Sequence, residues 1–424
     1  MRRFPRLFVF FASALLFVSG FAGAIARADE NASGPTLELL KAWIKDHALN
    51  DETLSTLPSQ PFAATALTSD EAQQATAELW NSRTEFLKKT RQAEFDDREI
   101  VIDDLKMPFW YKVFGEAPAE GRSLFISMHG GGGAPAEVND QQYENQKRLY
   151  QPEEGVYLVP RAATNTWDLW HQAHIDPCFE RLITDMILYE NVNPDRVYIM
   201  GYSAGGDGVY QLAPRMADRL AAAAMMAGHP NESRPDGLRN IGFTIHMGAN
   251  DDAYNRNAKA EEWGKLLDAL QAGDKDGYIH EVSLHKDRGH WMNLEDAVAV
   301  PWMARFTRNV WPKRIAWVQD DVRHARFYWL GVSEESAKAG DRIVASVNDN
   351  EIFIEHCDAK AITLLLSDSL LNLDNPVTVK LPSGATSQYE VKRTIADIAR
   401  SLAERYDRPA TFSATIQIPI GESE

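Results

Sequence analysis

The spacing of apolar and polar positions changes character several times along the chain. Residues 7–21 form an apolar stretch broken only by Ser13, Ser19 and Gly20. Residues 35–98 then read as helical: Leu37, Leu40 and Ile44 fall on one face, and Ser69-Asp70-Glu71 opens a segment that reaches Phe95 without Pro or Gly. These helices are expected to pack on the rest of the molecule or to cap a site. From Glu99 onward the period shortens, giving strand-like runs at 100–102, 109–114, 123–128, 155–159, 196–200, 243–247 and 280–284. Helical segments at 179–191, 204–220 and 258–270 separate the later runs. Short apolar strands alternating with helices predict an α/β core, a mostly parallel central sheet covered on both faces.

Past Pro312 strand candidates follow one another directly, at 326–332, 343–347, 352–355, 362–366, 377–380 and 411–418, with a single helix at 395–406. That texture predicts a small β-sandwich-like accessory domain. The chain thus divides into a leader at 1–28, a helical N-terminal extension at 29–98, an α/β domain at 99–312 and a β-rich domain at 313–424.

The leader has its own chemistry. Arg2, Arg3 and Arg6 precede the apolar stretch, and Ala26-Arg27-Ala28 offers small residues around a cleavage point, so a secretory signal cut after Ala28 is expected. The stretch is too short and interrupted for a membrane anchor. The destination is the periplasm or the medium. Losing the leader removes four arginines and no acid, which takes the net charge from −17 to −21. Such a surface repels phosphate backbones, and nucleic-acid partners are not expected. Cys178 and Cys357 could form a bridge where disulfides persist, but two separately buried thiols are the preferred reading.

Gly201-Tyr202-Ser203-Ala204-Gly205 directly follows a strand and directly precedes a helix. In that setting G-x-S-x-G is a sharp turn that exposes the Ser hydroxyl above the sheet, next to a helix N-terminus. Upstream, a strand ends in His129-Gly130-Gly131-Gly132-Gly133; the amides of Gly131 and Gly132, with that of Ala204, are expected to face a developing oxyanion. A phosphate cradle would need a Lys and a following Ser/Thr that are missing here. Downstream, Gly248-Ala249-Asn250-Asp251-Asp252 follows a strand, and Asp251 is preferred to Asp252 as the acid that orients a histidine. His290, freed by Gly289, is preferred to His285 as the base. The order Ser203, Asp251, His290 is the one this architecture requires. Trp167, Trp170 and His171 lie in a loop on the ligand side of the sheet, where they could stack on a sugar or an aromatic acyl group or simply pack the loop. Tyr202 and Trp291 are further candidates for substrate contact. No metal-binding spacing is present in the sequence, and no cofactor is expected.

With these motifs in place, residues of about 100–312 resemble the α/β-hydrolase superfamily, and within it the secreted esterases of the polyhydroxybutyrate depolymerase and feruloyl esterase type. The His-Gly-Gly loop, the phrase Val192-Asn193-Pro194-Asp195-Arg196-Val197-Tyr198, the nucleophile turn and Gly289-His290-Trp291 are similar to motifs there. The chain departs in its longer helical N-terminus, its aromatic loop at 167–171 and the absence of a Cys pair at the site. The resemblance implies an ester substrate, small or polymer-borne, cleaved through an acyl-enzyme. A peptidase of the prolyl-oligopeptidase kind would carry a large propeller ahead of the core, for which there is no room. A non-catalytic binding protein on the same fold is the third reading.

Overall fold

The computed structural model describes residues 34–333 and 335–421; the expected leader lies outside them. The first elements are α1 (Gly34–Asp46), α2 (Asp51–Thr56) and α3 (Ser69–Asp97). The long α3 is bounded by local chemistry at both ends. At its start Thr68 accepts from the Glu71 amide while the Glu71 carboxylate accepts from the Thr68 amide, satisfying two donors that a helix start leaves open. At its end Arg98 turns into the left-handed region with φ +54°, which closes the last turn.

The central sheet is built from β1 (Glu99–Ile102), β2 (Leu105–Phe114), β3 (Arg122–Met128), β4 (Gly155–Pro160), β5 (Val192–Tyr202), β6 (Ala222–Met226), β7 (Gly242–Gly248) and β8 (His280–His285). Its strand order is β1-β2-β4-β3-β5-β6-β7-β8, parallel from β4 to β8, with β2 antiparallel to both β4 and the edge strand β1. Helices α4 (Ala136–Gln146), α5 (Ile175–Tyr189), α6 (Ala204–Arg215), α7 (Arg256–Gly273) and α8 (Ala299–Met303) cover it. This is the α/β core expected from the alternation of strands and helices, in the α/β-hydrolase form that the resemblance implies. Between β4 and β5 the chain crosses to the other side of β3, so the carboxyl ends of β3 and β5 flank the point where the sheet reverses its growth. Crevices open at such points.

Two central elements differ from the sequence expectation. Residues 222–226, Ala-Ala-Ala-Met-Met, are excellent helix formers and read as no strand, yet β6 is fully buried between β5 and β7. Helix α6 lies directly upon its end, and the small residue this requires is on the helix side: a Cβ on Gly206 would come within 2.5 Å of the Met226 carbonyl oxygen. Helix α4 was also not anticipated, since its sequence AEVNDQQYENQ carries no apolar stripe.

The remaining chain forms two further sheets. One has the order β10-β11-β14-β17, from β10 (Arg326–Phe327), β11 (Leu330–Gly331), β14 (Ala361–Leu366) and β17 (Ala414–Pro419). The other has the order β16-β15-β13-β12-β9, from β9 (Arg314–Val318), β12 (Arg342–Asn348), β13 (Glu351–Cys357), β15 (Val377–Lys380) and β16 (Thr386–Tyr389). Apolar residues of both share one buried core, with Trp317 of one sheet stacked on Phe327 of the other at 5.7 Å. The segment 326–332 is not one strand: Tyr328 turns the chain with φ +53° and lets buried Trp329 donate to the Pro312 carbonyl at 2.7 Å. Helix α9 (Ile395–Glu404) does not rest on the sandwich alone. Its residues Ile395, Ile398, Ala399 and Leu402 bury themselves with Leu40, Leu54, Leu57 and Leu79 of the first helices. Cys178 is buried in α5 and Cys357 lies in β13; both are free thiols.

Where the central sheet meets the later segments, charged side chains are buried together. Arg308 bonds Asp195 at 2.7 Å and Asp407 at 2.6 Å, Arg219 reaches Glu180 and Asp407, and Arg405 reaches Glu180 and Asp218. The surrounding guanidinium groups hold Asp407 well below the usual carboxylate range despite complete burial.

Candidate active site

Ser203 stands between β5 and α6 with φ +58° and ψ −121°, a conformation that non-glycine residues seldom adopt. Its neighbours make the turn possible by being small. A Cβ on Gly201 would lie 2.2 Å from the Gly205 carbonyl oxygen, and one on Gly205 the same distance from that of Met128. The hydroxyl faces His290, with Oγ 2.9 Å from Nε2, and the opposite ring nitrogen Nδ1 lies 2.7 Å from Asp251 Oδ2. With the proton on Nδ1 donated to the carboxylate, Nε2 is left to accept from the Ser hydroxyl.

Asp251 is buried at the carboxyl end of β7, its amide donating to the Gly248 carbonyl and its own carbonyl accepting from Asn257. Arg256 lies 3.7 Å from its second oxygen. Asp252 is exposed and begins the following short turn. His285 is engaged elsewhere, 3.1 Å from His246 and 3.4 Å from Glu295.

The loop after β3 is gripped from several sides. His129 is buried; its Nδ1 donates to the Gly130 carbonyl at 2.6 Å and its Nε2 accepts from the Ala162 amide at 3.1 Å. Burial favours the neutral imidazole and pushes its pKa down to about 4. Buried Asn139 of α4 accepts from the Gly132 amide at 2.9 Å and donates to the Ala134 and Pro135 carbonyls. The Gly132 N–H is therefore occupied by Asn139 rather than turned to Ser203. Gly131 does line the cavity beside Ser203, and the Ala204 amide, first in α6, has no carbonyl of its own helix to bond.

A cavity of about 740 Å³ opens over these groups, lined by Gly130, Gly131, Tyr202, Ser203, His290 and Trp291 and, from the α4 side, by Val138, Gln142 and Leu149 among others. The residues supplied by α4 and the turn after it were not legible in advance, because a polar helix gives no periodic signal. Trp167, Trp170 and His171 do not line this cavity. Trp170 is completely buried, donates to the His129 carbonyl at 2.9 Å and packs against Gly208 of α6. Trp167 is 62% exposed, its ring edge-on to that of buried His171 at 5.4 Å. The Tyr202 ring borders the cavity, but its hydroxyl is turned to the His290 loop. The first helices contribute nothing to the cavity lining; they pack against α9 and α5.

The sequence profile of the Dienelactone hydrolase family matches residues 150–320. Residues of this chain are 31% identical over 152 positions to the NocK protein of Nocardia uniformis subsp. tsuyamanensis, named provisionally as an esterase, covering 33% of this chain and 44% of that one. They are 33% identical over 142 positions to a bifunctional acetylxylan esterase/xylanase of Neocallimastix patriciarum, covering 31% and 20%. The chain thus spans less than half the length of these curated relatives. Among solved structures, a thermostable esterase is similar at 17% identity with a TM-score of 0.39, over 50% of this chain and 64% of that one. A poly(3-hydroxybutyrate) depolymerase from Bordetella parapertussis is similar at 12% identity with a TM-score of 0.37, over 50% and 88%. The strand order, the turn that carries Ser203 and the profile match over residues 150–320 together make the eight-stranded part of this chain similar to the α/β-hydrolase superfamily.

Proposed function

We propose that the chain is an exported serine hydrolase that cleaves carboxylic esters through an acyl-enzyme. The observation that carries this reading is the continuous line from Ser203 Oγ to His290 Nε2 at 2.9 Å and from His290 Nδ1 to Asp251 at 2.7 Å, ending in an open cavity. In this mechanism His290 takes the Ser203 proton as the hydroxyl attacks the ester carbonyl. The Gly131 and Ala204 amides receive the oxyanion, and His290 returns the proton to the departing alcohol. Water, activated by the same imidazole, then releases the acid. The buried carboxylate of Asp251 keeps the ring oriented and stabilises its charged form. Export rests on the leader expected at 1–28, and the net acidic surface favours neutral esters over polyanionic ones.

A fluorophosphonate probe should label the wild-type chain and not Ser203→Ala, with release of p-nitrophenol from p-nitrophenyl acetate lost in parallel. Labelling of both proteins alike would refute Ser203 as the nucleophile. A panel of acetyl-sugar, feruloyl and polyester substrates then identifies the ester class.

A further inference from the structure

His290 sits on a loop between Arg288 and the fully buried Met292. Its side chain is 44% exposed, and Asp287, Asn293 and Leu294 around it all have φ near +60°. At its near end the loop is tied through the Arg288 carbonyl, which accepts from the Asn250 amide, and through the Arg288–Glu295 ion pair. Neither tie touches residues 290–292. Met292 is anchored by its burial and by its carbonyl, which accepts from the Glu295 amide, and the backbone on both sides of Trp291 is reached from outside the loop by Tyr202, the residue immediately before Ser203. Its hydroxyl donates to the His290 carbonyl at 2.7 Å and accepts from the Met292 amide at 2.9 Å. Its ring lies edge-on to the His290 imidazole at 6.1 Å and tilted against Trp291 at 5.6 Å. The ring is almost fully buried, and burial raises the phenol pKa, so the hydroxyl stays protonated and able to donate.

We infer that Tyr202 is a positioning residue that ties the base-bearing loop to the nucleophile turn, rather than a group that binds substrate through its hydroxyl. Because the two hydrogen bonds bracket His290, the imidazole is fixed relative to Ser203 through a strand end that also sets the Ser203 backbone. Any shift of one is carried to the other. With both partners of the hydroxyl already assigned on the loop, no hydrogen of it is left for a substrate.

This inference rests on the proposed Ser203 chemistry, and the test separates the two. The experiment uses Tyr202→Phe, which keeps the ring and removes only the clamp, assayed with p-nitrophenyl acetate at a temperature where circular dichroism shows both proteins folded. The expected result is a fall in kcat of about ten- to a hundredfold with KM little changed, since small misplacements of reacting groups carry penalties of that size. The low-field proton resonance of the His290–Asp251 hydrogen bond should broaden or disappear in the variant. Unchanged kcat with a raised KM would make the hydroxyl a substrate contact and overturn the inference. Unchanged kcat, KM and proton resonance would overturn it as well. If the wild-type chain itself is not labelled by fluorophosphonate, the chemistry of Ser203 fails, whereas the proton resonance still reports whether Tyr202 positions His290.

Discussion

Asp251 and Asp407 are almost equally buried, 3% and 2% exposed, and each lies near an arginine. Asp407 is enclosed by Arg308 and Arg219 at 2.6–3.1 Å in the charged seam between the central sheet and the later segments. Asp251 has its arginine at 3.7 Å and commits its nearest contact, at 2.7 Å, to a histidine that is itself half open to solvent. One carboxylate is surrounded by fixed positive charge and ends there. The other begins a line of groups that leads out to a cavity. Burial therefore does not distinguish a structural acid from a functional one; what does is whether its partner has a free side.

Changing both residues in the same way should break the comparison open. Ser203→Ala sets the scale of the cleft: kcat should fall by about 10⁴- to 10⁶-fold with thermal stability nearly unchanged, and adding His290→Ala should cost little more, because the groups act as a unit. Asp251→Asn should lower kcat by up to about 10⁴-fold, since an amide no longer holds the imidazole in the required tautomer, with only a small shift in melting temperature. Asp407→Asn should do the opposite, losing about 3–5 kcal/mol of stability while the folded fraction keeps its kcat. Equal effects of the two Asn substitutions on denaturation midpoint and turnover would erase the distinction.

Three further effects sharpen it. Trp170→Ala should lose about 3–5 kcal/mol, the usual result of emptying a buried Trp site, and with it the grip on the His129 carbonyl. Thermal melts beside a substrate panel would show whether stability rather than the ratio of bulky to short esters changes. Removing His129 alters the acid response. Its pKa is about 4 in the folded chain against roughly 6.5 when unfolded, so the unfolded state binds the extra proton between those values. The stability held by the neutral ring is complete above pH 6.5 and drains as pH falls toward 4, by about 2 kcal/mol at pH 5. Asp207, raised by burial to about 6, works in the opposite direction, so the informative quantity is the difference between wild type and His129→Gln in urea titrations at pH 7.5 and 5. The variant should show the shallower acid loss. Smallest of all, Trp167→Ala should change stability by no more than about 0.5 kcal/mol, as befits an exposed ring.

The sequence reading and the structure agree where chemistry is tied to local geometry. The glycines at 201 and 205 announce a turn that only small residues can make, and the strand-turn-helix around Ser203 follows from them. The strands at 123–128 and 243–247 declare themselves by short, mostly apolar runs, Leu124-Phe125-Ile126 in the first and Phe243, Ile245 and Met247 in the second. Disagreement begins where tertiary context overrides local preference. The alanines of β6 favour a helix on their own and become a strand because they are paired on both sides, with β5 and β7, in the buried middle of the sheet. Asn139 and the polar helix α4 carry no periodic signal, although they shape the loop beside Ser203 and one wall of the cavity. Trp170 and His171 resembled binding residues because their loop sits on the ligand side, but direction, not position, decides that role, and the indole of Trp170 points into the protein.

The packing of α9 against the first helices has a bearing on how the chain matures. Trp80 stacks on Tyr406 at 4.0 Å, and Thr84 bonds the same tyrosine's hydroxyl across a sequence separation of 322 residues. The part of the apolar face of α1, α2 and α3 that α9 covers thus has to wait until residues 395–406 have emerged from the ribosome. Contacts of this range form slowly, and surface left waiting invites association with other chains. A nascent chain halted before residue 395 would leave the same leucines exposed as one that had lost α9 by proteolysis. Solubility of this molecule during synthesis is accordingly a property of α9 as much as of the helices it covers.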